Sequence, residues 1–404
     1  MSKISFSCNF KSSELQSLAL PVEVRKSNLA LVAQTLTTQS VDLEPGTYYV
    51  TAKLPAGQEL FNQVTVVEGK PDIVTLTPEP EDESPHEWLE VDSYITGWQP
   101  ATPSSASSLE GLGPQNVVAK LRAFSGNVLL GETKARDDQT WLIPLPAPSQ
   151  GVAKFNVFPG DVRFVQLLQP KVSPLNIALP ISPLIGSPTG IGCQLVLTWQ
   201  PDGLLSVDVL LEHAAADTLL RYFQRGLLEQ AATMTTSDAL QAEQLLYQDL
   251  SHPIAGAVGA YALLRFGNLE RLHNWTETLN DRFKWLPDGA AILGEHLARL
   301  GKHEEALPVF LELPSRGLPI FSDGLSYAID RLRLYSTTDD TGFKVEARSV
   351  AHTVLKQLQR FAPFVDFRKI LLTFTGVDPS NPDDKSLGED IEDFDGLDVA
   401  QYLG

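Results

Sequence analysis

Near residue 212 the spacing of apolar residues changes from every second position to every third or fourth, and this change divides the chain into a β part and an α part. Upstream, Tyr48, Val50, Ala52 and Leu54 alternate with polar residues, so they share one face of a strand. Downstream, Leu219, Leu220, Phe223, Leu227 and Leu228 line one side of a helix. Hydrophobic residues make up 43% and charged residues 20% of the 404, a globular composition with room for two to three domains. The expected fold class is multidomain α+β: one or two N-terminal β-sandwich modules, a C-terminal all-α helical bundle, then an acidic tail.

The first expected module covers residues 1–78. Pro45-Gly46 is a turn in which Pro presets φ and Gly supplies freedom to reverse. The strand after it runs to Leu54, Pro55–Gly57 turns the chain, and strands are predicted at Val64–Val67 and Ile73–Leu76, with a short apolar segment at Ala30–Leu36. The run Pro45-Gly46-Thr47-Tyr48-Tyr49-Val50, its hairpin and a last strand near Pro78 resemble the prealbumin-like sandwich of carboxypeptidase regulatory-like and Cna-B-type domains. That resemblance spans about Val22–Pro78, implies a fold, and says little of function.

Residues 79–116 read as linker and loop, with a strand at 88–98. A second β-sandwich region is expected over 117–211, with strands at Val117–Phe124, Val128–Thr133, Thr140–Pro144, Lys154–Val157, Val162–Leu168, Ile191–Trp199 and Leu204–Leu211. From Val172 to Pro201 no residue is charged, a length that could cross a bilayer as a helix. Pro174, Pro180, Pro183 and Pro188 would break that helix, so buried strands joined by turns are expected and no membrane association.

The helical domain is placed at 212–374. Helices are predicted over Ala214–Met234, Ala239–Leu250, Pro253–Phe266 with Gly267 as the stop, Leu269–Phe283, Ala290–Leu300, Leu318–Tyr335 and Val345–Phe361. In the last, Val350, Val354, Leu355 and Leu358 are assigned to one buried face, and Phe364–Phe374 is expected to pack on the bundle. Leu293-Gly294, Gly301, Glu305-Ala306 and Phe310 resemble a single tetratricopeptide repeat, in which small residues let two helices approach and large ones fill the gap. Pro308 and Pro314 depart from that pattern. The resemblance implies a TPR-like bundle or short solenoid.

No residue set selects a reaction. His303-Glu304-Glu305-Ala306-Leu307 lacks the second histidine of a zinc-protease helix, and His296 and His303 are expected to be polar residues near a helix turn. Cys193 lies in an apolar strand and reads as an inert core thiol; nothing near Cys8 would lower its pKa. Gly186–Gly192 is glycine-rich but is followed by no Lys-Ser/Thr, so it reads as a hairpin turn. The reading is therefore not an enzyme, with no cofactor and no metal. The two cysteines and the absence of an apolar leader in the first residues point to the cytoplasm. A formal net charge of −19 argues against nucleic acid as a partner.

Two residue sets invite a protein partner. Trp275, Phe283 and Trp285, with Tyr261 and Phe266 upstream, are either bundle core or the aromatic anchors of a peptide groove. The acidic tail over 375–404 carries Leu387, Ile391, Phe394, Leu397 and Tyr402 among its carboxylates, the composition of a segment that orders on a partner bearing a basic rim. Over His252–Tyr335 the Leu-Pro-Asp-Gly and Arg-Gly-Leu-Pro elements resemble accessory proteins of bacterial defence systems built around caspase-like or CHAT peptidases. That resemblance implies a peptidase partner, with this chain its regulatory or substrate subunit. The function expected is a non-catalytic interaction adaptor. The alternatives are a carbohydrate or envelope binding protein using the β modules, and a hydrolase with a site between the β and α parts.

Overall fold

The computed structural model describes residues 1–8, 19–54, 59–78, 117–144, 152–157, 160–169, 172–183, 192–199, 204–211, 213–236, 252–337 and 343–381. N-terminal β-sheets precede a C-terminal helical region, the multidomain α+β arrangement expected from the change of period. The chain forms two compact units, residues 1–99 with 213–272, and residues 100–212 with 273–404.

In the first unit, strands β1 (Ser2–Cys8), β2 (Pro21–Lys26), β3 (Leu31–Leu36), β4 (Ser40–Leu43), β5 (Gly46–Lys53), β6 (Glu59–Val66) and β7 (Asp72–Pro78) hydrogen-bond in the order β3-β2-β5-β6-β7-β1-β4. All neighbours are antiparallel except β1 and β7. Tyr48, Val50, Ala52 and Leu54 are buried, as their alternation requires. The Tyr48 hydroxyl donates to the Glu44 carbonyl at 3.0 Å, which ties the turn to the core. β1 escaped the sequence reading, although Ile4, Phe6 and Cys8 alternate with polar residues and are buried.

The helices of this unit are α1 (Ala214–Gln224), α2 (Leu228–Thr236) and α3 (Pro253–Phe266). The single helix expected over Ala214–Met234 is two, because Gly226 at φ 70° turns the chain where a β-carbon would be strained. Pro253 starts α3 and Gly267 at φ 74° stops it, as expected. The Tyr222 hydroxyl donates to the Lys53 carbonyl at 2.7 Å and so pins α1 to the end of β5. The helix expected at Ala239–Leu250 lies outside the described residues, as do the linker and the strand expected at 88–98.

In the second unit, β8 (Val117–Ser125), β9 (Lys134–Pro144), β10 (Val152–Val157), β11 (Val162–Gln169), β12 (Val172–Ala178), β13 (Cys193–Trp199), β14 (Leu205–Leu211) and β15 (Thr373–Thr375) form two sheets. Their orders are β10-β13-β14 and β15-β12-β11-β8-β9. Ala119, Leu121, Val165 and Ile177 from one sheet share a core with Phe155, Val157, Cys193 and Leu195 from the other, so the sheets face each other as a sandwich. The charge-free stretch supplies β12 and β13, and no helix among the described residues is long and apolar enough to cross a membrane. Val128–Thr133 is not a strand. Asn127 caps a 3-10 turn over Val128–Leu130, and Gly126 at φ 92° approaches the Glu132 carbonyl too closely for a side chain.

Its helices are α4 (Trp275–Arg282), α5 (Pro287–Arg299), α6 (His303–Phe310), α7 (Leu313–Arg316), α8 (Ser322–Thr337) and α9 (Val345–Gln359). The helix expected over Leu269–Phe283 is a 3-10 turn and a separate α4, interrupted at His273 with φ 44°. α8 begins four residues later than expected because Phe321 forms a β-bridge with Leu371, just before β15, and Leu372 N–H donates to the Ile320 carbonyl at 2.8 Å. Gly294 of α5 lies under the Phe310 ring of α6, whose atoms would stand 2.7–2.8 Å from a β-carbon. This is the small-on-large packing expected there.

Three expectations are corrected. Val350 is 48% exposed while Ala351, Val354, Leu355 and Leu358 form the buried face of α9. On the 3.6-residue wheel Val350 lies about 100° from Ala351 and about 140° from Leu355, at the margin of that face. Phe364–Phe374 does not simply pack on helices: it leads into β15, which pairs with β12, and Phe374 packs edge-on to Phe164 with ring centres 5.6 Å apart. Finally, residues 213–272 cluster with the N-terminal sheet and 273–381 with the second sandwich, whereas the sequence reading set all helices in one domain. Amphipathic spacing shows that a helix has an apolar face, not which sheet receives it.

Candidate functional site

The aromatic set of the second unit is partly core. Phe283, just past α4, is 5% exposed and Leu286 is fully buried. Trp275, at the start of α4, and Trp285 are half-buried. Phe283 and Trp285 meet edge-to-face with ring centres 6.3 Å apart. Arg163 of β11 holds its guanidinium 5.6 Å from the centre of the Trp285 ring, a cation–π contact that sequence reading did not suggest. Burial lowers the Arg163 pKa, and the charge of Asp161 opposes that effect. Among the described residues the buried Trp285 Nε1 has no acceptor. Tyr261 and Phe266 belong to the first unit, where Tyr261 is buried and Phe266 lies 5.6 Å from Phe223.

The Leu-Pro-Asp-Gly and Arg-Gly-Leu-Pro elements form one structure beside these aromatics. Pro287 opens α5, and Asp288, fully buried, accepts the backbone N–H of Ile320 at 2.7 Å and of Phe321 at 3.2 Å. A β-carbon on Gly289 would stand 3.1–3.2 Å from the backbone of Leu279 and Asn280, so glycine lets α4 and α5 close together. Arg316 donates to the Asn280 carbonyl at 3.3 Å and bonds Glu312, which Lys284 also reaches at 3.4 Å. Burial would raise the Glu312 pKa, but the hydrogen bonds and charges of Arg316 and Lys284 outweigh it and hold the carboxyl below its ordinary value. From the sandwich, Asn127 donates to the Pro314 carbonyl at 2.8 Å and accepts from Leu129 N–H at 2.9 Å.

The histidines and thiols have local roles. His296 Nδ1 lies 3.0 Å from the Thr276 hydroxyl, and His303 Nδ1 lies 3.0 Å from the Tyr335 hydroxyl, so different partners hold them. In the first unit His213 accepts the Ala216 N–H and meets the His252 ring edge-on at 5.3 Å. Among the described residues no three His, Cys, Asp or Glu side chains are grouped to hold a metal. Cys8 and Cys193 are buried free thiols. Burial pushes the Cys8 pKa up to about 12 and raises that of Cys193 as well. Both should therefore resist iodoacetamide in the folded protein and react only after unfolding. Rapid native alkylation of either, read by intact mass, would contradict their inert assignment. A polar cleft in the first unit is lined by Pro21, Val22, Glu23, Thr51, Lys53, Glu59, Gln230 and Thr233.

Residues 218–393 match the family model of the Y4kD C-terminal domain. The chain is also similar to a probable protease of a Desulfuromonadales bacterium, with 33% identity over 120 residues. That stretch is 29% of this chain and only 14% of the probable protease. The Y4kD-like region takes in most of α1, all of α2–α9 and β15, so it draws on both compact units. Leu387, Ile391, Phe394, Leu397 and Tyr402 lie outside the described residues.

Proposed function

We propose that this chain is a non-catalytic interaction protein that works with a peptidase, as its regulatory or substrate subunit. The observation that carries this reading is the segment shared with the probable protease. It makes up 14% of that protein, a small enough part to be an appended module rather than a whole catalytic unit. The sandwiches serve as rigid platforms, the first prealbumin-like in its strand pattern, and α5–α6 pack as a single TPR-like pair. Trp275 and Trp285, both half-buried, contribute to a peptide-binding face, with Phe283 supporting Trp285 from the core. The C-terminal segment, acidic and studded with Leu387, Ile391, Phe394, Leu397 and Tyr402, docks a basic rim on the partner.

Affinity capture with the tagged full chain from its native lysate, read by mass spectrometry, tests this. A peptidase should be recovered, in amounts that fall as salt rises. Substituting Phe394 and Leu397 by Ser should reduce its recovery. Capture without any peptidase would refute the reading. The polar cleft supports a second reading, carbohydrate binding, because Glu23, Thr51, Lys53, Glu59 and Gln230 present hydrogen-bonding groups from one unit. Retention of the chain on a polysaccharide matrix, lost on Glu59→Ala, would favour it.

A further inference from the structure

The chain carries a net charge of −19, yet residues 343–370 hold six Lys and Arg against Glu346 and Asp366. Four of the six belong to α9 and its ends: Lys344, Arg348, Lys356 and Arg360. With His352 between them they recur every fourth residue, so they wind along the helix as one band. Lys344, Lys356 and Arg360 are exposed and Arg348 is half-buried, while the opposite side, with Ala351, Val354, Leu355 and Leu358, is buried. Val345 and Val350 stand beside the band at 68% and 48% exposure.

Helix stability accounts for only half of this band. Lys356 and Arg360, at the C-terminal end, complement the helix dipole. Lys344, at the N-cap, and Arg348, in the first turns, face its positive end and oppose it. Lys344, exposed at the end of the helix whose dipole opposes it, fits an external anion, and Lys356 presents a second exposed charge on the same band. Beyond Asn381 the chain supplies such an anion: eight carboxylates against the single base Lys385, interleaved with Leu387, Ile391, Phe394 and Leu397.

We infer that the outward face of α9 is the docking site of this chain's own residues 382–404. The carboxylates pair with the band, and the apolar residues cover Val345 and Val350. Fully extended, the segment reaches about 75 Å, against about 22 Å for the length of α9, so the tether does not limit it. Attachment to the same chain makes its effective concentration high, and a modest contact suffices to hold it. A long nucleic acid is the poorer occupant, since the net charge of −19 repels it. The inference rests on reading the tail as a docking segment. It adds that α9 competes for the tail with a partner's basic rim, so the tail is held back until such a rim displaces it.

The test uses the full chain and the rate at which proteinase K removes residues 382–404 at low salt, followed by intact mass. Release of a protected segment tracks its open population. Lys344→Glu with Lys356→Glu should speed release by about tenfold, as a tenfold fall in docking affinity would. Asp390→Asn, Glu392→Gln and Asp393→Asn should do the same from the other side of the contact, so the result does not depend on α9 tolerating its substitutions. High salt should bring the wild type to the same fast rate. Equal rates for wild type and both variants at low salt would overturn the inference. So would a wild-type rate that slows with protein concentration, which would make a second copy the occupant. Retention of a fluorescent oligonucleotide by the wild type but not the lysine variant would overturn it in favour of nucleic acid. Failure to capture a peptidase while this protection persists refutes only the partner reading.

Discussion

Replacing Glu295 with Ala should lower the unfolding free energy by about 3 kcal/mol. Its side chain is 4% exposed and accepts from Arg331 at 2.7 and 2.9 Å and from Arg299 at 2.6 Å. The hydrogen bond that Arg331 donates to Glu295 raises the Arg331 pKa against the opposing effect of burial. Removing the carboxylate takes the paired charge from two guanidiniums, each about one quarter exposed, and leaves Arg299 its cation–π contact with Tyr327. Their partial access to water sets the cost at the lower end of that for a broken buried pair. Glu295→Leu combined with Arg331→Met should recover much of the loss, because a well-packed apolar pair needs no counter-charge. Urea unfolding of the three variants measures both effects. A loss below about 1 kcal/mol for Glu295→Ala would show that this is an ordinary surface pair.

Asp288→Ala should cost a similar amount, about 3 kcal/mol, for a different reason. The carboxylate is fully buried and takes two backbone N–H groups, those of Ile320 and Phe321. Truncation leaves both donors without an acceptor in a place water does not reach, and each such donor costs about 1–3 kcal/mol. It also removes a negative charge from the first turn of α5, where the helix dipole favours one. Asp288→Asn keeps one acceptor oxygen and should lose roughly half as much. Hydrogen exchange gives the local readout: the Ile320 and Phe321 amides should exchange much faster in the Ala variant than in the wild type. Unchanged exchange at both would show that the carboxylate does not hold this segment.

These two residues mark how far the sequence could be read. Asp288 stands within the Leu-Pro-Asp-Gly element, whereas Glu295 carries no local signal, since a Glu on an amphipathic helix is ordinarily at the surface. Arg163 was equally inconspicuous: a lone cation in a strand becomes informative only when Trp285 is found under it. The basic band of α9 has a legible signal, Lys or Arg at 344, 348, 356 and 360, set against the overall acidity of the chain.

By itself the sequence determined what depends on neighbours a few residues apart. Alternation set the buried face of β5, Pro253 and Gly267 bounded α3, and Gly294 opposite Phe310 set the approach of α5 and α6. Tertiary structure alone decided which surfaces those elements cover. Thr373–Thr375 became a sheet strand because β12 had a free edge to pair with, and nothing local to those three residues encodes that edge. Likewise α1–α3 joined the N-terminal sheet and α4–α9 the second sandwich, although all share the same helical grammar. Periodicity is a local property of the chain; the choice of partner depends on the shape and hydrogen-bonding groups of a surface assembled from distant residues.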